Sequence, residues 1–168
     1  SGTTGLPLPG TDIKLLDDAG VEVPLGQSGE VCAKGPQVMR GYWNQPEANA
    51  AAFTPDGYFK TGDVGVFDER GFLKIVDRKK DMVLVSGFNV YPNEVEAVAT
   101  ACPGVGECAC IGVPDDKTGE AVKLFVVKAP GATLTADEVI AHCRKEMTAY
   151  KVPKTVVTDR HFNHMRPS

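Results

Sequence analysis

Five consecutive charged residues, Asp77-Arg78-Lys79-Lys80-Asp81, stand between two apolar segments near the middle of a 168-residue chain. Unpaired charges resist removal from water, so such a run cannot be packed into a core at small cost. The chain must surface there. This splits it into a part at 1–77 and a part at 78–168, with 77–81 as the natural hinge. A chain of this length suits one domain or two small ones, and a divided chain holds smaller, more marginal cores.

The first part is turn-rich and strand-like. Residues 12–16 alternate, Asp17-Asp18-Ala19-Gly20 turns, and 21–24 returns, which predicts a hairpin. Residues 29–35 form another short strand, and 46–53 read as a short helix with Pro46 near its first position. Residues 65–67 and 72–76 are strands joined by Asp68-Glu69-Arg70-Gly71. Such strands, short and frequent, predict a partial β-barrel subdomain.

The second part alternates strands and helices. A strand at 82–85 precedes a helix opened by Pro92 and Asn93, which buries Val95, Val98, Ala99 and Cys102 at spacings of three and four. Strands at 109–113 and 121–128 follow, with 114–120 as the loop between them. Thr135-Ala136-Asp137-Glu138 has the form of a capping box. The helix it starts places Val139, Ile140, Cys143 and Met147 on one face and ends near Tyr150. This is a small α/β unit, and the whole chain is expected to be α+β.

The net charge of −4 argues against a nucleic-acid partner, because neutralising phosphates needs a basic face. No apolar run approaches the ~18 residues needed to span a bilayer. Peripheral membrane contact stays open. No secretory leader is expected in the polar start Ser1-Gly2-Thr3-Thr4-Gly5. Cys32, Cys102, Cys108, Cys110 and Cys143 are an odd set among apolar neighbours, which reads as reduced, buried thiols in a cytoplasmic protein. Cys108 and Cys110 share a strand face and are read as packing residues rather than metal ligands. His142 falls on a helix, and His161 and His164 fall in a polar tail.

Chemistry concentrates around the junction. Thr61-Gly62-Asp63 precedes the charged run, and Ser86-Gly87-Phe88-Asn89-Val90-Tyr91-Pro92-Asn93-Glu94 follows it. One carboxylate and one guanidinium on strand ends suit a nucleotide sugar. The carboxylate accepts from both ribose hydroxyls, and the arginine donates to the same oxygens or to the nearby phosphate. Glu94 and Glu96 open a helix whose dipole favours negative charge, and are read as structural.

In order and wording these segments closely resemble the adenylate-forming superfamily, in particular the C-terminal part of bacterial long-chain fatty acid–CoA ligases. The likeness runs over about 5–154. It implies that 1–77 is the β-rich end of a large N-terminal adenylation domain and that 78–168 is a mobile C-terminal lid. By the same resemblance Asp63 and Arg78 bind the ribose of ATP and of the acyl-adenylate, and Lys80 is the hinge residue. Ser86, Gly87, Phe88 and Asn89 are implied to lie on the CoA side. The intact enzyme would use ATP, Mg2+ and CoA to activate a fatty acid.

Two motifs of the family are missing. Ser1-Gly2-Thr3-Thr4-Gly5 resembles the opening of the family's phosphate loop but lacks its closing lysine, and the match is read as accidental. After Tyr150-Lys151-Val152-Pro153 the family carries a glycine-lysine pair with the adenylation lysine, whereas no lysine follows Lys154 here. No catalytic residue is therefore assigned, and the fragment alone is expected to be inactive. The alternatives are the corresponding part of an aryl- or medium-chain ligase or of a carrier-protein-loading domain, and a non-catalytic binding module.

Overall fold

The computed structural model describes residues 3–5, 10–36 and 51–158. The chain divides into two compact units, Ser1–Lys80 and Asp81–Ser168. Most of the short helix expected at 46–53, and the tail with His161 and His164, lie outside the described residues.

Among the described residues of the first unit, five strands form an antiparallel sheet. Its strands are β1 (Thr3–Gly5), β2 (Asp12–Leu16), β3 (Ser28–Lys34), β4 (Phe59–Phe67) and β5 (Leu73–Arg78), in the order β1-β5-β4-β3-β2. Thr3–Gly5, from the segment that resembled the start of a phosphate loop, is thus a strand at one end of this order, paired with β5. Asp17 makes the first turn, its carboxylate accepting the Ala19 and Val21 amides at 2.9 Å each. Asp68 does the same between β4 and β5, accepting from Arg70 and Phe72 at 2.9 Å. Leu15, Val31 and Leu73 are buried together, with Ile13, Val23, Phe67 and Ile75 packed around them.

The sheet departs from the expected strands at three places: Thr3–Gly5 is a strand, the expected return at 21–24 is only an isolated Leu16–Glu22 bridge while β2 pairs with β3, and the third lies in β4. Thr61-Gly62-Asp63 is not a turn ahead of a strand but lies inside the nine-residue β4. Glu30 faces Val64 and Cys32 faces Lys60, so three β4 residues stand opposite the single residue Val31. This is a bulge, which bends a strand and re-aims its side chains.

In the second unit β6 (Val83–Val85), β7 (Phe88–Val90), β8 (Val105–Asp115), β9 (Gly119–Lys128) and β10 (Thr155–Thr158) form a mixed sheet centred on β9. β8 and β9 make a long hairpin, whose connection is held by Asp115 accepting from the Lys117 and Thr118 amides at 2.9 and 3.0 Å. β10 runs parallel to β9. α1 (Pro92–Thr100) and α2 (Ala136–Glu146) supply Val95, Ala99, Val139 and Cys143 to a core completed by Val83, Val90, Val122, Leu124 and Val126. The capping box forms as its residues predict. Glu138 N–H donates to Thr135 Oγ1 at 3.3 Å, and Thr135 N–H donates to the Glu138 carboxylate at 3.1 Å. All five cysteines are free thiols, four of them buried.

Candidate functional site

Asp63 and Arg78 come together in the first unit as direct cross-strand partners on β4 and β5. Residues directly opposite in an antiparallel pair share a face, with Cβ atoms about 4.5–5.5 Å apart. Their neighbours Val64 and Asp77 form the next pair and point to the other face, where they are buried. Alternation therefore leaves the Asp63 carboxylate and the Arg78 guanidinium on the more open side. Among the described residues, neither head group has an ion-pair or hydrogen-bond partner. A carboxylate beside a guanidinium, both uncommitted, is a donor-and-acceptor pair that fits a vicinal diol.

Local chemistry keeps that pair in place. Gly62 has φ of 75°, a left-handed conformation that disfavours any side chain. Thr61 Oγ1 donates to the Val31 carbonyl at 2.7 Å and accepts the Asp63 N–H at 3.1 Å. One hydroxyl thus serves two backbone groups that the bulge removes from the ladder. A second irregularity lies on the other flank. Val64 faces Asp77 and Gly65 faces Ile75, which leaves Val76 as an extra residue on β5. Asp77 Oδ1 accepts the Arg78 amide at 2.8 Å.

Glu30 belongs to this neighbourhood, though its place in the sequence does not announce it. Its carboxylate accepts the Gly62 amide at 3.2 Å and pairs with the Lys79 ammonium at 3.1 Å. Asp18 lies 3.5 Å from the same ammonium. Burial pulls the Lys79 ammonium down, but Glu30 and Asp18 outweigh it and leave the group above its ordinary value. Lys80 is exposed in a 3-10 turn, Lys79–Asp81, and has no ion-pair partner among the described residues.

In the second unit, Ser86 and Gly87 are the two central residues of the tight β6–β7 hairpin, with φ of 51° and 83°. Two successive positive φ values are those of a type I′ turn. Phe88 and Asn89 are strand residues of β7 rather than parts of a loop. All four are exposed. Phe88 is 55% exposed and stacks on Tyr150 at 4.7 Å between ring centroids, with 20° between planes. A Cβ placed on Gly87 meets nothing within 4 Å, so this position faces open space. The hairpin is tied to β9 by one register pair, Val85 with Gly119, and by the Leu84 N–H donating to Glu120 Oε2 at 2.7 Å.

Glu94 and Glu96 are structural contacts. Glu94 pairs with Lys151 at 2.7 Å, and Glu96 accepts the Cys110 amide at 2.8 Å. His142 Nε2 meets the Val98 carbonyl at 2.9 Å. Among the described residues no group of three or more His, Cys, Asp and Glu side chains could hold a metal ion. No helix among them is long and apolar enough to cross a membrane.

Comparison with known proteins gives these units a family. Residues 94–163 match the AMP-binding enzyme C-terminal domain, and residues 1–43 match the AMP-binding enzyme family. A long-chain-fatty-acid–CoA ligase of Escherichia coli O6:H1 is 57% identical over 93% of this chain, which spans 28% of that relative. A feruloyl-CoA synthase of Amycolatopsis is 46% identical over 95% of the chain and 32% of the relative. The crystal structure of ATP-bound MatB from Rhodopseudomonas palustris superposes with a TM-score of 0.87 at 42% identity, covering 95% of this chain and 32% of that one. Over the stretch it shares with these relatives, less than a third of their length, the chain belongs to the AMP-binding enzymes.

Proposed function

We propose that this chain is part of an AMP-forming acid–thiol ligase that activates a long-chain fatty acid with ATP and transfers it to CoA. The observation that carries the reading is the uncommitted Asp63–Arg78 pair, opposed across β4 and β5 at a bulge. The identity to a long-chain-fatty-acid–CoA ligase supports the choice of acid.

A carboxylate is a poor electrophile, and ATP supplies the adenylyl group that makes it a good one before the CoA thiol attacks. The residues of this chain hold and orient. Asp63 accepts from the ribose hydroxyls, and Arg78 donates to the same sugar or its phosphate. The Thr61 hydroxyl and the Gly62 turn keep Asp63 at its angle. The open hairpin tip of Ser86, Gly87, Phe88 and Asn89 offers backbone groups and one amide side chain to the CoA arm. Lys80 is the residue whose backbone rotation lets 81–168 act as a lid in two orientations. On this reading the chain by itself forms no acyl-CoA.

The test is adenylation by the full-length protein carrying Asp63→Ala or Arg78→Ala. Each removes a charge-assisted hydrogen bond of ~1.5–3 kcal/mol, or roughly tenfold to a hundredfold in ATP use. An unchanged ATP dependence in both variants would remove the assignment. The identity to a feruloyl-CoA synthase favours a second reading, an aryl acid as substrate. Turnover of oleate against ferulate by the full-length protein separates the two.

A further inference from the structure

Glu30 joins the two strands of the candidate sugar site at points next to its two key residues. Gly62, whose amide it accepts at 3.2 Å, immediately precedes Asp63. Lys79, whose ammonium it meets at 3.1 Å, immediately follows Arg78. The two bonds use different oxygens, Oε2 for the amide and Oε1 for the ammonium. The Glu30 side chain is only 12% exposed, so its charge is largely withdrawn from water and depends on these partners. Its backbone sits opposite Val64, at the point where the bulge begins. Two partners, one on β4 and one just past the end of β5, therefore converge on a carboxylate carried by β3.

Resting on the ligase reading above, we propose that Glu30 is a positioning residue for the nucleotide ribose, setting the spacing between Asp63 and Arg78 by clamping Gly62 to Lys79. It touches no substrate. Its effect passes through the backbone of two adjacent residues, so it should appear where the ribose hydroxyls are read. The chemistry requires a carboxylate. A glutamine still accepts from Gly62 with its amide oxygen, but its amino group then faces the Lys79 ammonium, donor against donor. Glu30→Gln thus keeps the bulge and loosens only the β5 end.

The experiment compares ATP with 2′-deoxy-ATP in adenylation by the full-length protein. Wild type, Glu30→Gln, Lys79→Met and Asp63→Ala are each measured for the ratio of kcat/KM between the two nucleotides. Glu30→Gln is expected to reduce the preference for ATP by roughly tenfold, the loss of about one hydrogen bond, mainly through the KM for ATP. Lys79→Met cuts the same clamp from its other side and should do the same, the double variant being no worse than either single one. If Glu30 only supports the fold, both nucleotides suffer alike and the ratio stands, which overturns the proposal. If Asp63→Ala collapses the ratio while Glu30→Gln and Lys79→Met leave it intact, the positioning role fails and the ribose reading survives. If Asp63→Ala itself leaves the ratio unchanged, both fall together.

Discussion

Gly65 lies on β4 two residues beyond Asp63, and a single methyl added there tests how tightly β4 and β5 hold the candidate site. A Cβ at this position meets Leu73 Cδ1 at 2.9 Å, Val31 Cγ2 at 3.0 Å and the Lys74 carbonyl oxygen at 3.1 Å. The two methyl groups belong to side chains that are each 5% exposed, inside the small core of the first unit. They can yield by a few tenths of an ångström, but the carbonyl moves only if β5 moves. Overpacking of this kind costs about 1–3 kcal/mol. Against it stands the restriction of the unfolded chain by alanine, about 0.4–1 kcal/mol. The clash wins, and Gly65→Ala should destabilise the first unit by about 1–2 kcal/mol. Because the chain has two units, a single global melting temperature would mix them. Native-state hydrogen exchange resolves them. The slow amides of β4 and β5 should exchange roughly tenfold faster, while those of β9 in the second unit keep their rates. Gly62 is the control, with φ of 75° and nothing within 4 Å of an added Cβ. Its constraint is conformational, so Gly62→Asn should be tolerated better than Gly62→Ala, because asparagine visits the left-handed region. At Gly65 the order should reverse, since asparagine is the larger group. Unchanged exchange in Gly65→Ala, or the same order at both sites, would refute this reasoning.

Three further outcomes follow from local chemistry. Ser86→Asn should stabilise the second unit by about 0.5–1 kcal/mol in urea unfolding, because Ser86 holds φ of 51° in a turn type that prefers asparagine before glycine. Burial, reinforced by Cys102 and Cys108, pushes the Cys143 thiol up to about 11 from 9.0. Between those values the folded chain keeps a proton that the unfolded chain has lost, so stability is intact below pH 9 and falls as pH rises toward 11. A pH series of urea midpoints checks the sign, and Cys143→Ala should make it less steep, the remainder coming from Cys32, Cys102 and Cys108, which burial also pushes up. Lys80→Pro in the full-length protein should spare adenylation and block thioester formation if Lys80 is the hinge, since proline fixes φ. Half-reaction assays that lose both steps equally would count against that role.

The features legible in the sequence were those decided by near neighbours. The capping box at Thr135 and Glu138 involves residues one helical turn apart, and the helix starts where they predict. The turns at Asp17 and Asp68 are made by one side chain reaching two and four residues on. β10 was not legible. Thr155-Val156-Val157-Thr158 is too short for a periodic signal, and it becomes a strand by parallel pairing with β9, a partner distant in sequence. The extent of β4 was hidden for the opposite reason. Thr61-Gly62-Asp63 carries strong turn chemistry, and the neighbouring strands absorb it as a bulge instead of letting it end the strand.

That absorption explains why the candidate site could be found from its motif while its support could not. Asp63 and Arg78 lie in segments whose residue types already suggest a sugar-binding pair, and the register then makes them opposite neighbours. Glu30 gives no such signal. A single acid in the strand Ser-Gly-Glu-Val-Cys-Ala-Lys reads as a solvent-facing position of an alternating segment. Its significance depends on register, because only a three-to-one bulge brings the Gly62 amide within reach of its carboxylate. The bulge in turn leaves amides and carbonyls that the ladder cannot satisfy, and each must find an acceptor or donor when shielded from water. Thr61 meets two of these demands and Glu30 a third. Side chains that settle a backbone irregularity are chosen by the geometry they repair, so they are found by asking which orphaned group each one serves.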